Sequence, residues 1–242
     1  MKKEMKYVHL GCGIANRLFA IMRMLSRYKD VTFVWEKLGD EYTLFGDLFE
    51  TSLNIKIQTF SPTNTIVIHP WDQKSQTEFN FSSKYQLKKR WTTNGIGLKT
   101  VGCCLCGKPI CVPHIARYIR PHRSLVKQLE MMKTKIKNMT ALHIRDNPFE
   151  KGYSPKWKHI RRLLSVNYSY VAFENKDHSF YLKHHVKQDD IRNATRNRNT
   201  LNGLRSAVFD MYALSFAPNI ISTKVFSTFH QMSTCLKKSR VQ

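Results

Sequence analysis

Apolar positions between residues 203 and 229 follow two periods in succession. Leu204, Val208 and Met211 recur at helical spacing, and Phe209, Tyr212 and Phe216 form a second helical stripe beside them. A helix apolar on more than one face is expected between two layers rather than at a surface. Pro218 lacks an amide hydrogen and clashes with a preceding turn, so the helix must end before it. Ile220-Ile221 then reads as a β-branched strand opening into a polar turn, Ser222-Thr223-Lys224, with a second polar cluster at Ser227-Thr228. Asp210 is an acid on this helix that needs a partner if it is buried. Strand, hydroxyl-rich loop and helix is also the arrangement in which a doubly wound sheet holds a ligand at its strand ends. Periodicity alone favours the plainer reading, a core helix followed by a surface turn.

Earlier segments repeat the alternation. Tyr7-Val8-His9-Leu10 reads as a strand, Gly11-Cys12-Gly13-Ile14-Ala15-Asn16-Arg17 as a turn, and residues 18–28 as a helix striped by Leu18, Met22 and Leu25. Glycines admit a close ligand, and free amides at a helix start favour an anion. The turn lacks both the dinucleotide fingerprint and the phosphate-loop ending, and Asn16 and Arg17 suit equally well a role in pinning the loop to its own domain. Val31-Thr32-Phe33-Val34-Trp35 is the next strand, and residues 44–49 suggest a packed turn or one-turn helix. Residues 51–102 are irregular, with a strand expected at Ile66-Val67-Ile68-His69 and solvated surface at Lys88-Lys89-Arg90-Trp91.

A domain boundary is expected at residues 120–121, dividing the chain into 1–120 and 121–242. After Pro121 a helix runs to about residue 135, and residues 138–145 form a strand ending in charge. Arg145, at that strand end, is suited to fork two hydrogen bonds onto a phosphate. His143 reads first as a packed or hydrogen-bonded histidine, and Asp146, Glu150 and Asp177 are the acids nearest for a general base. Residues 155–164 and 179–186 read as helices, 168–173 as a strand, 189–202 as a polar loop, and 237–240 as a fraying end. The fold class expected is α/β.

Composition refines this picture in three ways. The 242 residues carry 40 Lys plus Arg against 17 Asp plus Glu, a formal charge of +23. That excess attracts polyanions, including nucleic acid or a nucleotide diphosphate. It is spread along the chain rather than gathered with aromatics, which disfavours a nucleic-acid-binding protein. No stretch approaches the roughly 18 apolar residues of a membrane span, and no secretory leader is legible, so a cytoplasmic protein is expected. On that basis the 6 cysteines are expected as free thiols, and the acceptor triplets at Asn80, Asn138, Asn167 and Asn193 carry little weight. Cys103, Cys106, Cys111 and His114 are the only zinc set worth testing, and their spacing departs from the paired short-loop pattern.

The ordered blocks resemble the fucosyltransferase superfamily that includes the α1,6-fucosyltransferases, the nodulation fucosyltransferases and the protein O-fucosyltransferases. Gly11-Cys12-Gly13-Ile14-Ala15-Asn16-Arg17-Leu18 is similar to its Gly-rich loop ending in Asn-Arg. Val34-Trp35-Glu36 and Phe45-Gly46-Asp47-Leu48-Phe49 are similar to the segments that come after that loop in the family. Leu142-His143-Ile144-Arg145 resembles the His-X-Arg strand end. The block from residue 204 to 229 resembles the third motif, with Ala207, Asp210, Leu214-Ser215, Ile220-Ile221 and Ser227-Thr228-Phe229. The resemblance spans about residues 7–232. It departs at Arg145-Asp146-Asn147-Pro148, where a second arginine is common, at Phe173-Glu174-Asn175-Lys176-Asp177, and at His230, where a serine is common.

The resemblance implies a GT-B-like pair of Rossmann-type domains flanking a cleft, with residues 1–120 on the acceptor side and 121–242 binding the nucleotide sugar. It implies an inverting transfer of fucose from GDP-fucose to a glycan or other hydroxyl, independent of metal and of any cofactor besides the donor. Arg145 is the implied catalytic residue. The implied donor contacts are Gly13, Asn16, Arg17, His143, Arg145, Asp177, Thr223, Ser227, Thr228 and Phe229, and Asp210 is implied as structural support. The departures leave open another GDP- or UDP-sugar. A catalytically inactive carbohydrate-binding or scaffold protein, and a basic nucleic-acid-binding protein, are the competing readings.

Overall fold

Strand β1 (Lys6–Leu10), helix α1 (Ile14–Leu25) and strand β2 (Val31–Trp35) succeed one another. The two strands run parallel, from Lys6 opposite Val31 to Leu10 opposite Trp35. A computed structural model describes residues 6–10, 13–26, 31–35, 43–58, 90–91, 98–99, 110–145, 158, 162, 169–173, 200–224 and 227–241. Helix α1 starts four residues earlier than its apolar stripe predicts. Gly13, extended at φ −69° and ψ 160°, is the N-cap, and its carbonyl accepts from the amides of Asn16 (3.1 Å) and Arg17 (3.2 Å). Asn16 and Arg17 are therefore first-turn helical residues, not loop residues.

Beyond β2 come the helical turn α2 (Phe45–Leu48) and the strands β3 (Phe49–Thr51) and β4 (Lys56–Gln58). Asp47 closes α2 by accepting from the Leu44 amide at 2.7 Å. Phe45 meets Trp35 edge-on, with ring centroids 5.5 Å apart, and Phe49 at 5.4 Å, fixing the turn against the sheet. Strand β4 joins β2 in parallel, giving the order β1-β2-β4. The short strands β5 (Arg90–Trp91) and β6 (Leu98–Lys99) pair antiparallel. Helix α3 (Pro113–Ala116) begins on a proline, which suits its first position. Strand β7 (Ile119–Pro121) pairs with β3.

The chain divides into two compact units, Met1–Arg120 and Pro121–Gln242. The second opens with α4 (Arg123–Ile136), amphipathic through buried Leu125, Leu129 and Ile136. It continues through β8 (Thr140–Ile144), β9 (Ser169–Phe173), helix α5 (Leu201–Leu214), β10 (Asn219–Ser222) and helix α6 (Thr228–Val241). The sheet is parallel with the order β10-β8-β9, so the strand order reverses at β8.

Helix α5 is the layer between layers that its double stripe predicts. The Thr200 side chain caps it by accepting from the Gly203 amide at 3.1 Å. It touches α4, α6, β8 and β9, and Val208, Met211, Ala213 and Leu214 are wholly buried. Asp210 is buried too, and its Oδ1 accepts from the Tyr170 hydroxyl at 2.7 Å.

Two expectations are corrected here. The C-terminal segment does not fray at residues 237–240 but is the last turn of α6, because Met232, Cys235, Leu236 and Ser239 form a buried helical stripe. Cys111 and Cys235 are each disulfide-bonded rather than free thiols, which corrects that expectation at these two positions. The same finding removes Cys111 from the zinc set. The strand at 66–69, the helix at 179–186 and most of 155–164 lie outside the described residues. So do Gly11, Cys12, Asp146, Glu150 and Asp177. No helix among the described residues is long and apolar enough to cross a membrane.

Two methionines measure how far the core depends on α5. Met211→Ala is expected to cost about 2–5 kcal/mol in urea unfolding. Met131→Ala, at a side chain 56% exposed on α4, is expected to stay within about 0.5 kcal/mol of the parent.

Candidate functional site

Parallel strands end without a partner for the next backbone groups, and the chain must satisfy them as it turns away. At the C-terminal ends of β8 and β10 it does so with two hydroxyls. The Thr223 amide donates to His143 O at 3.0 Å, and the Arg145 amide donates to Thr223 Oγ1 at 2.9 Å. One threonine thus bridges both residues of the His-X-Arg strand end. Ser222 Oγ lies 3.2 Å from His143 Nδ1. It also donates to Lys224 O at 3.0 Å and accepts from Lys224 N at 3.3 Å.

The start of α6 closes the other side. Ser227 is buried, its amide donates to Lys224 O at 3.0 Å, and its carbonyl accepts from Gln231 N at 3.0 Å. Thr228 and Phe229 are therefore in the first helical turn, not in a loop. The Phe229 ring stacks on His143, with centroids 5.0 Å apart and planes 27° apart. The unpaired amides of a helix start present partial positive charge. Arg145, partly exposed, leaves the same strand end that His143 occupies. The ensemble sits where the strand order reverses, the position at which open α/β sheets hold ligands. Its charge and donors suit an oxyanion.

His230 lies in that same turn, and its Nδ1 has no hydrogen-bond partner among the described residues. Burial holds its pKa below the ordinary 6.5. Among the described residues no cluster of His, Cys, Asp and Glu is placed to hold a metal.

Sequence comparison with protein families and with curated proteins finds no match. Solved structures do match. The NodZ α1,6-fucosyltransferase soaked with GDP-fucose matches with a TM-score of 0.58 at 13% identity, over 97% of this chain and 93% of that one. POFUT1 in complex with GDP matches with a TM-score of 0.53 at 11% identity, over 96% and 94%. The fold is fucosyltransferase-like.

Within this fucosyltransferase-like fold, the second unit brings together His143, Arg145, Thr223, Ser227, Thr228 and Phe229. Asp210, on α5, is held by the Tyr170 hydroxyl from β9. In the first unit, Gly13, Asn16 and Arg17 share the start of α1. A Cβ on Gly13 meets nothing within 4 Å among the described residues. Asn16 is 9% exposed, and its Oδ1 has no hydrogen-bond partner among them. Arg17 is buried with its guanidinium 4.5 Å from the Trp35 ring centroid, a cation–π contact within its own unit. Sequence reasoning left out Ser222 and Tyr170. Tyr170 was signalled only by the need of Asp210 for a partner, and Ser222 by its place beside Thr223.

The depressed pKa of His230 makes its unfolding take up a proton once pH falls below 6.5. Stability from this group is complete above that value and declines as pH drops toward the folded pKa. Urea midpoints measured from pH 7 to 5 are expected to fall more steeply for the parent than for His230→Asn. Parallel curves would refute the assignment.

Proposed function

We propose that the chain is an inverting fucosyltransferase with a GT-B arrangement, taking GDP-fucose as donor and a glycan or other hydroxyl as acceptor. The observation that carries this reading is the joining of Arg145, His143 and the α6 start at the strand-order reversal of a parallel sheet. The likeness to one structure soaked with GDP-fucose and another in complex with GDP adds to it.

In this scheme the second unit binds the nucleotide sugar and the first lies on the acceptor side. The acceptor oxygen attacks the anomeric carbon from the face opposite the diphosphate. The bond from that carbon to the β-phosphate oxygen breaks, and its electron pair leaves with GDP. Arg145 and the first-turn amides of α6 offset the charge growing there. The transition state is oxocarbenium-like, so the acceptor proton can leave late, to solvent. Asn16 Oδ1, an acceptor without a partner among the described residues, suits a sugar hydroxyl. Arg17, spent on Trp35, contributes by holding that helix start in place. Besides donor and acceptor the scheme requires no cofactor.

The test is a donor-hydrolysis and transfer screen over GDP- and UDP-sugars, with GDP affinity measured by calorimetry. Arg145→Ala is expected to lower turnover about 10²–10³-fold and to weaken GDP binding, with Arg145→Lys recovering part of each. GDP that fails to bind, or binds equally well to Arg145→Ala, sinks the transferase reading. GDP binding without turnover of any donor supports the inactive carbohydrate-binding alternative instead.

A further inference from the structure

Ser222 has no part in the proposed transfer, yet its hydroxyl touches three atoms of the site. A serine hydroxyl has one proton to give and two lone pairs to receive. The Lys224 amide, 3.3 Å away, can only donate, and takes one lone pair. Lys224 O, 3.0 Å away, can only accept, and takes the proton. The contact left is His143 Nδ1 at 3.2 Å, which must then be a donor. With the serine proton directed to the nearer acceptor, the proton inventory closes only if His143 carries hydrogen on Nδ1.

We infer that Ser222 is a positioning residue: it holds His143 with Nδ1 protonated, and so fixes the ring against Phe229. As part of a nucleotide site this rests on the transferase reading. The physical consequence does not. A histidine ring can flip and exchange tautomers, and one hydrogen bond to either nitrogen decides both. His143 is 2% exposed, so water is a poor substitute for the serine. Phe229 stacks on the same ring from the first turn of α6. The orientation of His143 therefore sets the spacing between the strand end that carries Arg145 and the helix start that faces it.

Long-range proton–nitrogen correlation on ¹⁵N-histidine-labelled full chain reads the tautomer directly, with His143 assigned by its absence in His143→Asn. The parent is expected to show Nδ1 protonated. Ser222→Ala is expected to move His143 toward the other tautomer and to weaken GDP binding about tenfold, the equivalent of roughly 1.4 kcal/mol. Ser222→Thr, which keeps the hydroxyl, is expected to retain the parent tautomer and stay within about twofold in affinity. A parent with Nε2 protonated overturns the inference even if Ser222→Ala does not fold. So does a folded Ser222→Ala with unchanged tautomer and affinity. A parent with Nδ1 protonated that binds no GDP overturns the transferase reading and leaves the tautomer assignment standing.

Discussion

Two hydrogen bonds between neighbouring strand ends hold the second unit's site in one geometry. Where β8 and β10 stop pairing, Thr223 takes over, donating its amide to His143 O and accepting the Arg145 amide on its hydroxyl. A sheet ladder fixes backbone direction only as far as it runs, and beyond it each strand is free to turn. A side-chain oxygen standing in for the next ladder acceptor extends that order by a residue, which is the residue that matters here. The resemblance to known transferases assigns Thr223 to the nucleotide. The contact seen is to the Arg145 amide, so in the proposed site the hydroxyl serves by directing how that arginine leaves the strand.

That arrangement needs a rigid floor, and α5 supplies it. A helix with two buried stripes touches α4, α6 and two strands at once, so moving it disturbs every neighbour. The Tyr170–Asp210 bond crosses the same layer, joining β9 to α5 at 2.7 Å. Hydrogen bonds to charged groups contribute about 1.5–3 kcal/mol, and leaving a buried carboxylate short of donors costs more than the bond itself gains. The bond is therefore better regarded as fixing register than as adding net stability. With α5 fixed, β8 with His143 inherits its position, and β10 with Ser222 follows through its pairing to β8.

How much of this was legible in the sequence depended on which force set each feature. Periodic burial made α4, α5, β8 and β9 readable, because Leu125, Leu129 and the Leu204, Val208, Met211 stripe meet the core directly. Prolines and glycines bounded them. Helix starts were less legible: α1 begins at Ile14 because the Gly13 carbonyl captures two amides, an event that leaves no apolar signature. Helix α6 was missed because its buried stripe includes Cys235 and Ser239 beside Lys237, Lys238 and Arg240, a mixture that reads as polar. The free-thiol expectation for Cys111 and Cys235 failed for a different reason. It rested on compartment, which patterning does not encode. In the site, His143 and Arg145 were visible as residues, but the role of Ser222 depends on a proton count that only placed atoms reveal.

His230 sharpens the electrostatic side of the site. The family pattern that this chain resembles often has a second arginine after the first, and here Asp146 follows Arg145 directly. A histidine in the first turn of α6 is a tempting replacement for the lost charge. Its surroundings oppose that role. Burial disfavours the imidazolium, no acceptor among the described residues meets Nδ1, and the positive end of a helix repels a cation placed within its first turn. Near neutral pH the ring is therefore a neutral body that fills space, and it adds no charge where a diphosphate would need it. The positive potential at these strand ends falls to Arg145 and the helix amides, set within a chain whose formal charge is +23. A strand end with one arginine in place of two depends more heavily on the direction of the one it keeps, and it is Thr223 that holds the Arg145 backbone.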